Sequence, residues 1–400
     1  MDLRSHYPYG LLKNGILRDY PSVSKNMTTD VIVIGAGITG ALVSWHLSTK
    51  GIRSIVLDKR HVGMGSTAAS TSLLQYEIDT PLYYLQKKVG NDTATKSYLL
   101  CRQAIYELGE ISRELEMDSG FSLKSSLQYA SRAPHAKNLE KEARLRKSIG
   151  IDVELLGSTE IKKLFHFRKS AALLSKDGGQ VDAYRLTHAL LQAAERTGST
   201  VFDHSAVTKL HFGKRGVEVI INKKYKIKSR KLVVAAGYES QRYLPKKIEK
   251  LVSTFAIVSE PFQQQEFWYQ NSMIWETANP YLYIKVTDSN RIMVGGKDIP
   301  YYDPVKRDKL LPTKAKQLEL AFHQLFPQLN FKTDFKWAGT FSHTKDGLPY
   351  IGCITEKPHT YFALGYGGNG IVFSQIAATI IADLISGTKN RNTDLFSFKR

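Results

Sequence analysis

Hydrophobic and polar positions follow two different periods near the start of the chain. The stretch "DVIVIG" is a short continuous run of β-branched residues, the pattern of a strand buried on both faces. "ITGALVSWHLSTK" then repeats its apolar positions at helical spacing, and "SIVLDK" is a second short apolar run. Strand, helix and strand in this order predict a βαβ unit with parallel pairing. Helical recurrence returns over residues 94–117, in the charged segment "HAKNLEKEARLRKSIG", and from about residue 182, where Asp182 is placed to cap. "GVEVIINKKYKIKSRKLVVAAGY" predicts a hairpin followed by a buried strand.

From residue 251 the pattern changes to short runs separated by turns, "LVSTFAIVSE", "NSMIWETANPYLYIKVTD" and "RIMVGGKD", which predict antiparallel strands. "KLLPTKAKQLELAFHQLFPQLN" predicts a helix ending near Pro327, and "IVFSQIAATIIADLISG" a long final helix. The expected class is α/β. A discontinuous Rossmann-like domain takes residues 27–90, 175–250 and 335–400, and an α+β substrate domain with an antiparallel sheet takes residues 91–174 and 251–334. Residues 1–26 form an extension that is either a loose tail or a strap across the outside, with little chemistry expected of it.

Composition narrows this picture only slightly. The chain of 400 residues is ordinary for a folded protein, with 42% hydrophobic and 23% charged residues. Its formal charge of +19 is scattered without aromatic interleaving, which predicts a solvated basic surface and no nucleic-acid partner. Cys101 and Cys353 are the only cysteines and read as two reduced, buried small residues, with no metal site expected. No run reaches the roughly 18 apolar residues of a membrane span, and the leading segment lacks a signal-peptide pattern. The expected location is the cytoplasm.

The glycine turn between the first strand and helix carries the strongest chemistry. Gly35, Gly37 and Gly40 complete the GxGxxG spacing, in which bare backbone approaches a pyrophosphate at a helix N-terminus. Ala36, Ile38 and Thr39 fill the rest of the turn. Asp58 stands eighteen residues after Gly40, at the end of the second strand, where a carboxylate accepts from a ribose diol and disfavours a 2′-phosphate. That leaves NAD or the ADP half of FAD, with Lys59 beside it. Side-chain volume is suppressed over Gly65, Ser66, Thr67, Ala68, Ala69, Ser70, Thr71 and Ser72, as a cofactor lying across the sheet requires.

Taken in order, "VIVIGAGITG", "LDK", "GSTAAS", "LVVAAG", "YLYIKVTDSNRIMVGG", "KDGLPYIG" and "LGYGGNGI" resemble the D-amino-acid oxidase-like family of FAD-dependent oxidoreductases, which includes glycine oxidase, sarcosine oxidase and gamma-glutamylputrescine oxidoreductase. The resemblance covers nearly all of residues 29–388. It implies FAD, a substrate roof made by the antiparallel sheet, and hydride transfer from the carbon beside an amine to flavin N5, giving an imine. It further implies that Val207 meets the adenine through its backbone. Ala236, Gly237, Gly339 and the turn of Gly367, Gly368, Asn369, Gly370 and Ile371 would then complete the flavin cradle.

The chain departs from the family at informative places. Glycine oxidase-like members carry two arginines that clamp a substrate carboxylate, and here Gly368 and Phe341 stand in those places. That puts a simple amino acid substrate in doubt and favours an amine or amino compound. No cysteine precedes "KDG", so the flavin is expected to be noncovalent. Gly368, Asn369, His343, Lys285 and Tyr283 are the candidate catalytic residues. A 2-hydroxy acid or glycerol 3-phosphate dehydrogenase, or a noncatalytic flavin-containing interaction protein, stays open as an alternative. The electron acceptor and the oligomeric state are likewise left open by the sequence.

Overall fold

The computed structural model describes all 400 residues, organised around two sheets. The first has the spatial order Tyr350–Cys353, Thr360–Leu364, Tyr225–Val234, Met27–Ile34, Ser54–Leu57 and Thr200–Phe202. Along this order the pairings are parallel except that of the Tyr350–Cys353 edge strand, and the antiparallel strands Val207–Gly213 and Gly216–Ile221 are added to Tyr225–Val234. Val31, Ile32, Val33 and Ile34 are all buried because helices or strands cover both faces, which explains the uninterrupted apolar run. The helix Ile38–Thr49 packs between the C-terminal helix Gly370–Ser386 and the helix Ala183–Arg196. Two elements some 330 residues apart in sequence thus close the same face, as a discontinuous Rossmann-like domain requires.

The second sheet runs Thr333–His343, Lys250–Ser259, Ile292–Ile299, Tyr283–Val286, Met273–Glu276, Ser122–Tyr129, Ala171–Gln180 and Leu73–Leu74. It is antiparallel apart from the parallel pair Met273–Glu276 and Ser122–Tyr129. One face packs on the helix Pro304–Leu325, where Leu311, Leu318 and Phe322 meet Phe255, Ile257, Ile284 and Val294. The other face roofs a cavity.

That helix starts earlier than the apolar pattern predicts. Asp303 caps it by accepting from the Lys306 N–H, Pro304 takes a first-turn position where no N–H is needed, and Pro312 sits inside. Asp182 caps its helix as expected, accepting from Tyr184 and Arg185. Of the two cysteines, Cys101 is buried but Cys353 is exposed, at the end of an edge strand. No helix is long and apolar enough to cross a membrane.

The leading segment is a strap. Leu3, Tyr9, Leu11, Tyr20 and Val23 are buried. Backbone bonds from Ser5 to the Ala338 carbonyl and from Thr340 to the Leu3 carbonyl add it to the edge of Thr333–His343. An unpaired sheet edge is thereby covered.

Candidate functional site

A single large cavity lies between the two sheets, with about 1820 Å³ of atom-free space including its mouth. Its lining runs from the glycine turn and Asp58 to the roof residues Tyr281, Tyr283 and Asp298. The glycine turn forms one end. A Cβ built on Gly40 would stand 1.8 Å from the Gly35 carbonyl oxygen, so helix and strand approach here as only glycine permits. Gly35, Gly37, Ile38 and Thr39 line the cavity, whereas Ala36 and Gly40 lie behind it and shape the turn.

Asp58 lines the same end and accepts from the N–H groups of Ala36 at 2.8 Å and Arg60 at 2.9 Å. Burial pushes its carboxyl up, and those two bonds pull it back. Lys59 also lines this end, paired at 2.6 Å with the buried Glu239, which takes Arg60 as well. Val207, Ala236 and Gly237 complete this wall.

The small-residue stretch crosses the middle of the cavity. Gly65, Ser66, Thr67, Ala69, Ser70, Thr71 and Ser72 line it, while Ala68 faces a second, smaller cavity on the far side. Two bonds fix the middle of the stretch. The Ile38 N–H donates to Thr67 Oγ1 at 3.0 Å, and the Trp337 indole N–H donates to the Ala69 carbonyl at 2.9 Å.

At the far end, Tyr281, Tyr283 and Asp298 descend from the roof. Thr340, Phe341 and Gly339 come from the strand Thr333–His343, and Gly367, Gly368, Gly370 and Ile371 from the turn before the last helix. Tyr283 pairs across to Gly295, whose missing side chain leaves room for the ring.

The remaining sequence-predicted catalytic residues lie outside this lining. Asn369 is buried, its side-chain N–H₂ donating to the Gln75 carbonyl at 3.0 Å and the Glu77 carbonyl at 2.8 Å. It fastens the turn to the segment below. His343 is exposed at the strand end, its ring edge-on to Phe341. Lys285 borders the smaller cavity with Lys13, Asp182 and Asp288, across the Thr71–Ser72 strap from the large one. Burial lowers its ammonium to about 8, partly opposed by Asp182 and Asp288.

Asp79, Asp298, Gln75 and Leu3 escaped the sequence reading. The Gly368 N–H donates to Asp79 Oδ2 at 2.8 Å, and the Tyr281 hydroxyl donates to Asp79 Oδ1 at 3.2 Å. A Cβ on Gly368 would meet Tyr281 Oη at 2.7 Å and Asp79 Oδ1 at 2.8 Å. The space beside Gly368 is therefore filled by a carboxylate and a phenol. Asp298 and Gln75 line the cavity, and so does Leu3 of the strap, from which no chemistry was expected. The only visible signals were the carboxylates of "QYEID" and "VGGKD".

Buried polar atoms without a protein partner report what the cavity is built to hold. Ser66 Oγ, Gln75 Nε2, Thr340 Oγ1 and Asp298 Oδ1 are such atoms, and all four residues line it. Buried polar groups are normally paired, so this set fits a polar, elongated ligand along the cavity. The first-turn N–H groups of Gly370 and Ile371 add helix-terminus donors at the roof end.

A family model described as FAD dependent oxidoreductase matches residues 30–384. The chain belongs to the DAO family of FAD dependent oxidoreductases. It is 25% identical to gamma-glutamylputrescine oxidoreductase of Escherichia coli (strain K12) over 391 residues, covering 93% of this chain and 87% of that one. It is 24% identical to glycine oxidase of Geobacillus kaustophilus, covering 89% and 92%. The crystal structure of that Geobacillus glycine oxidase superposes with a TM-score of 0.79 at 21% identity, covering 93% of this chain and 99% of that chain. This DAO-family chain thus has the fold of an FAD-binding oxidoreductase, and its cavity suits the cofactor. Its substrate must be argued from its own residues.

Proposed function

We propose that this DAO-family protein oxidises an amine lacking a carboxylate on the reacting carbon, using noncovalent FAD. The observation that carries this reading is the roof end of the cavity. Lys59, Arg60 and Arg242 are the only lysines and arginines in the whole lining, and Lys59 and Arg60 cluster on Glu239 beside Asp58. The roof end offers Tyr281, Tyr283, Phe341, Asp298 and the Asp79 carboxylate behind Gly368. A substrate carboxylate or phosphate beside Asp298 would meet that carboxylate, with Asp79 behind Gly368, which disfavours amino acids, 2-hydroxy acids and glycerol 3-phosphate together.

Gly35, Gly37, Asp58 and the Gly65–Ser72 strap would hold the adenosine and pyrophosphate, and Gly370 and Ile371 the flavin ring. FAD, when bound, supplies the two-electron acceptor. The substrate C–H bond breaks with its electron pair, the nitrogen proton leaves to solvent, and a C=N bond forms whose hydrolysis consumes water. The aromatic rings exclude water from the reacting carbon and disfavour the ammonium form, which cannot release a hydride. Burial keeps the Tyr283 phenol protonated, with its acidity moved to about 12, and pushes Tyr281 higher still. Both therefore serve as neutral donors.

Anaerobic mixing of the FAD-loaded protein with amines, 2-hydroxy acids and glycerol 3-phosphate tests this. Bleaching of the flavin band by amines alone is expected; bleaching by the hydroxy compounds alone would overturn it.

A further inference from the structure

Resting on that reading, we propose that the preferred substrate carries a second positive charge, held by Asp298 in the cavity wall with Asp79 behind Gly368 adding to the negative field, so that diamines are favoured over monoamines. The reacting nitrogen must be neutral when hydride leaves, so it needs no carboxylate partner at that moment. The Asp298 carboxylate in the wall, with Asp79 behind Gly368, exceeds what it requires. This end suits a cation that persists through the reaction.

The charges around this end can be counted from every element that packs there. The segment below contributes Asp79, already accepting from the Gly368 N–H and the Tyr281 hydroxyl. The strand Ile292–Ile299 contributes Asp298 and its neighbour Lys297, the strand Lys250–Ser259 the Thr254 hydroxyl, and the helix Pro304–Leu325 the Lys314 ammonium. Lys314 lies 5.6 Å from the centre of the Phe255 ring, and neither it nor Lys297 lines the cavity. Asp298 Oδ1 is buried without a protein partner.

Burial raises the Asp298 carboxyl to about 6, the Thr254 hydroxyl lowers it, Asp79 raises it, and Lys314 lowers it. A bound ammonium relieves both the burial and the repulsion, and Tyr281, Tyr283 and Phe341 supply the surface for the alkyl chain between the two nitrogens. The same crowding explains why a carboxylate-binding arginine has no room at Gly368.

The test is anaerobic titration of the FAD-loaded protein with 1,4-diaminobutane, n-butylamine and 4-aminobutyrate, reading Kd and the reduction rate from flavin absorbance. The diamine is expected to exceed butylamine in reduction rate over Kd by about 30-fold or more, as a desolvated charge pair supplies. 4-Aminobutyrate should be weakest. Asp298→Asn should bring the diamine-to-butylamine ratio to within about 3-fold, mainly through Kd. Equal use of butylamine and the diamine by the wild-type protein, or an unchanged ratio in Asp298→Asn, overturns the second-cation site while leaving amine oxidation standing. Bleaching by hydroxy acids and by no amine overturns both. The wild-type comparison decides the matter even if the variant does not fold.

Discussion

Replacing Asn369 by alanine separates two roles that its position in the glycine turn suggests. The side chain is 7% exposed and its amide holds the Gln75 and Glu77 carbonyls. Leaving buried polar groups without a partner costs about 1–3 kcal/mol each, so the variant should lose about 2–6 kcal/mol. At roughly 2 °C per kcal/mol for a large domain, the temperature of flavin release should fall by about 4–12 °C. The loosened turn also carries Gly367, Gly368, Gly370 and Ile371, so flavin content after dialysis should fall with it. Thermal release of flavin fluorescence, the flavin-to-protein ratio and stopped-flow reduction by an amine measure the three quantities. Bound flavin should still be reduced within about 3-fold of the wild-type rate, because an anchoring group acts on occupancy more than on the barrier. Wild-type release temperature and flavin content combined with a hundredfold slower reduction would refute the anchoring argument and place Asn369 on the reacting atoms.

Two further outcomes follow from the same coordinates. Gly40→Ala forces a Cβ to within 1.8 Å of the Gly35 carbonyl, a backbone clash that no side-chain rotation relieves, so the purified variant should carry almost no flavin by absorbance. Glu249 is buried, both carboxylate oxygens lack a partner in the protein, and burial raises its carboxyl from 4.5 to about 7, only partly opposed by Ser342. Because the folded-state value is raised, the stability this group contributes is full below pH 4.5 and is lost as pH climbs through 7. The loss amounts to about 3 kcal/mol. Glu249→Gln should therefore melt close to wild type at pH 5 and higher than wild type at pH 8.5, and parallel melting curves across that range would count against a desolvated carboxylate.

The parts of the site legible in the sequence are those whose requirements are local. The helix and strand meeting at Gly40, the carboxylate ending the second strand at Asp58 and the narrow strap from Gly65 to Ser72 each impose their condition within a few residues. A single sequence therefore displays them. Lys285 and Tyr283 mark where that legibility stops. They lie two residues apart on one strand, yet Tyr283 faces the large cavity and Lys285 the small one, because the strap crosses between them. His343 projects at an exposed strand end for a similar reason: its position depends on where the sheet stops.

The class of fold and the glycine turn with its acidic partner were readable along the chain. Those follow from backbone sterics and residue type over short windows. Long-range packing alone brings Asp79 and Tyr281 against Gly368 and places Asp298 and Leu3 of the leading strap in the cavity wall. Convergence of that kind depends on sheet register and long-range packing, which bring together side chains hundreds of residues apart and leave no periodic trace along the chain.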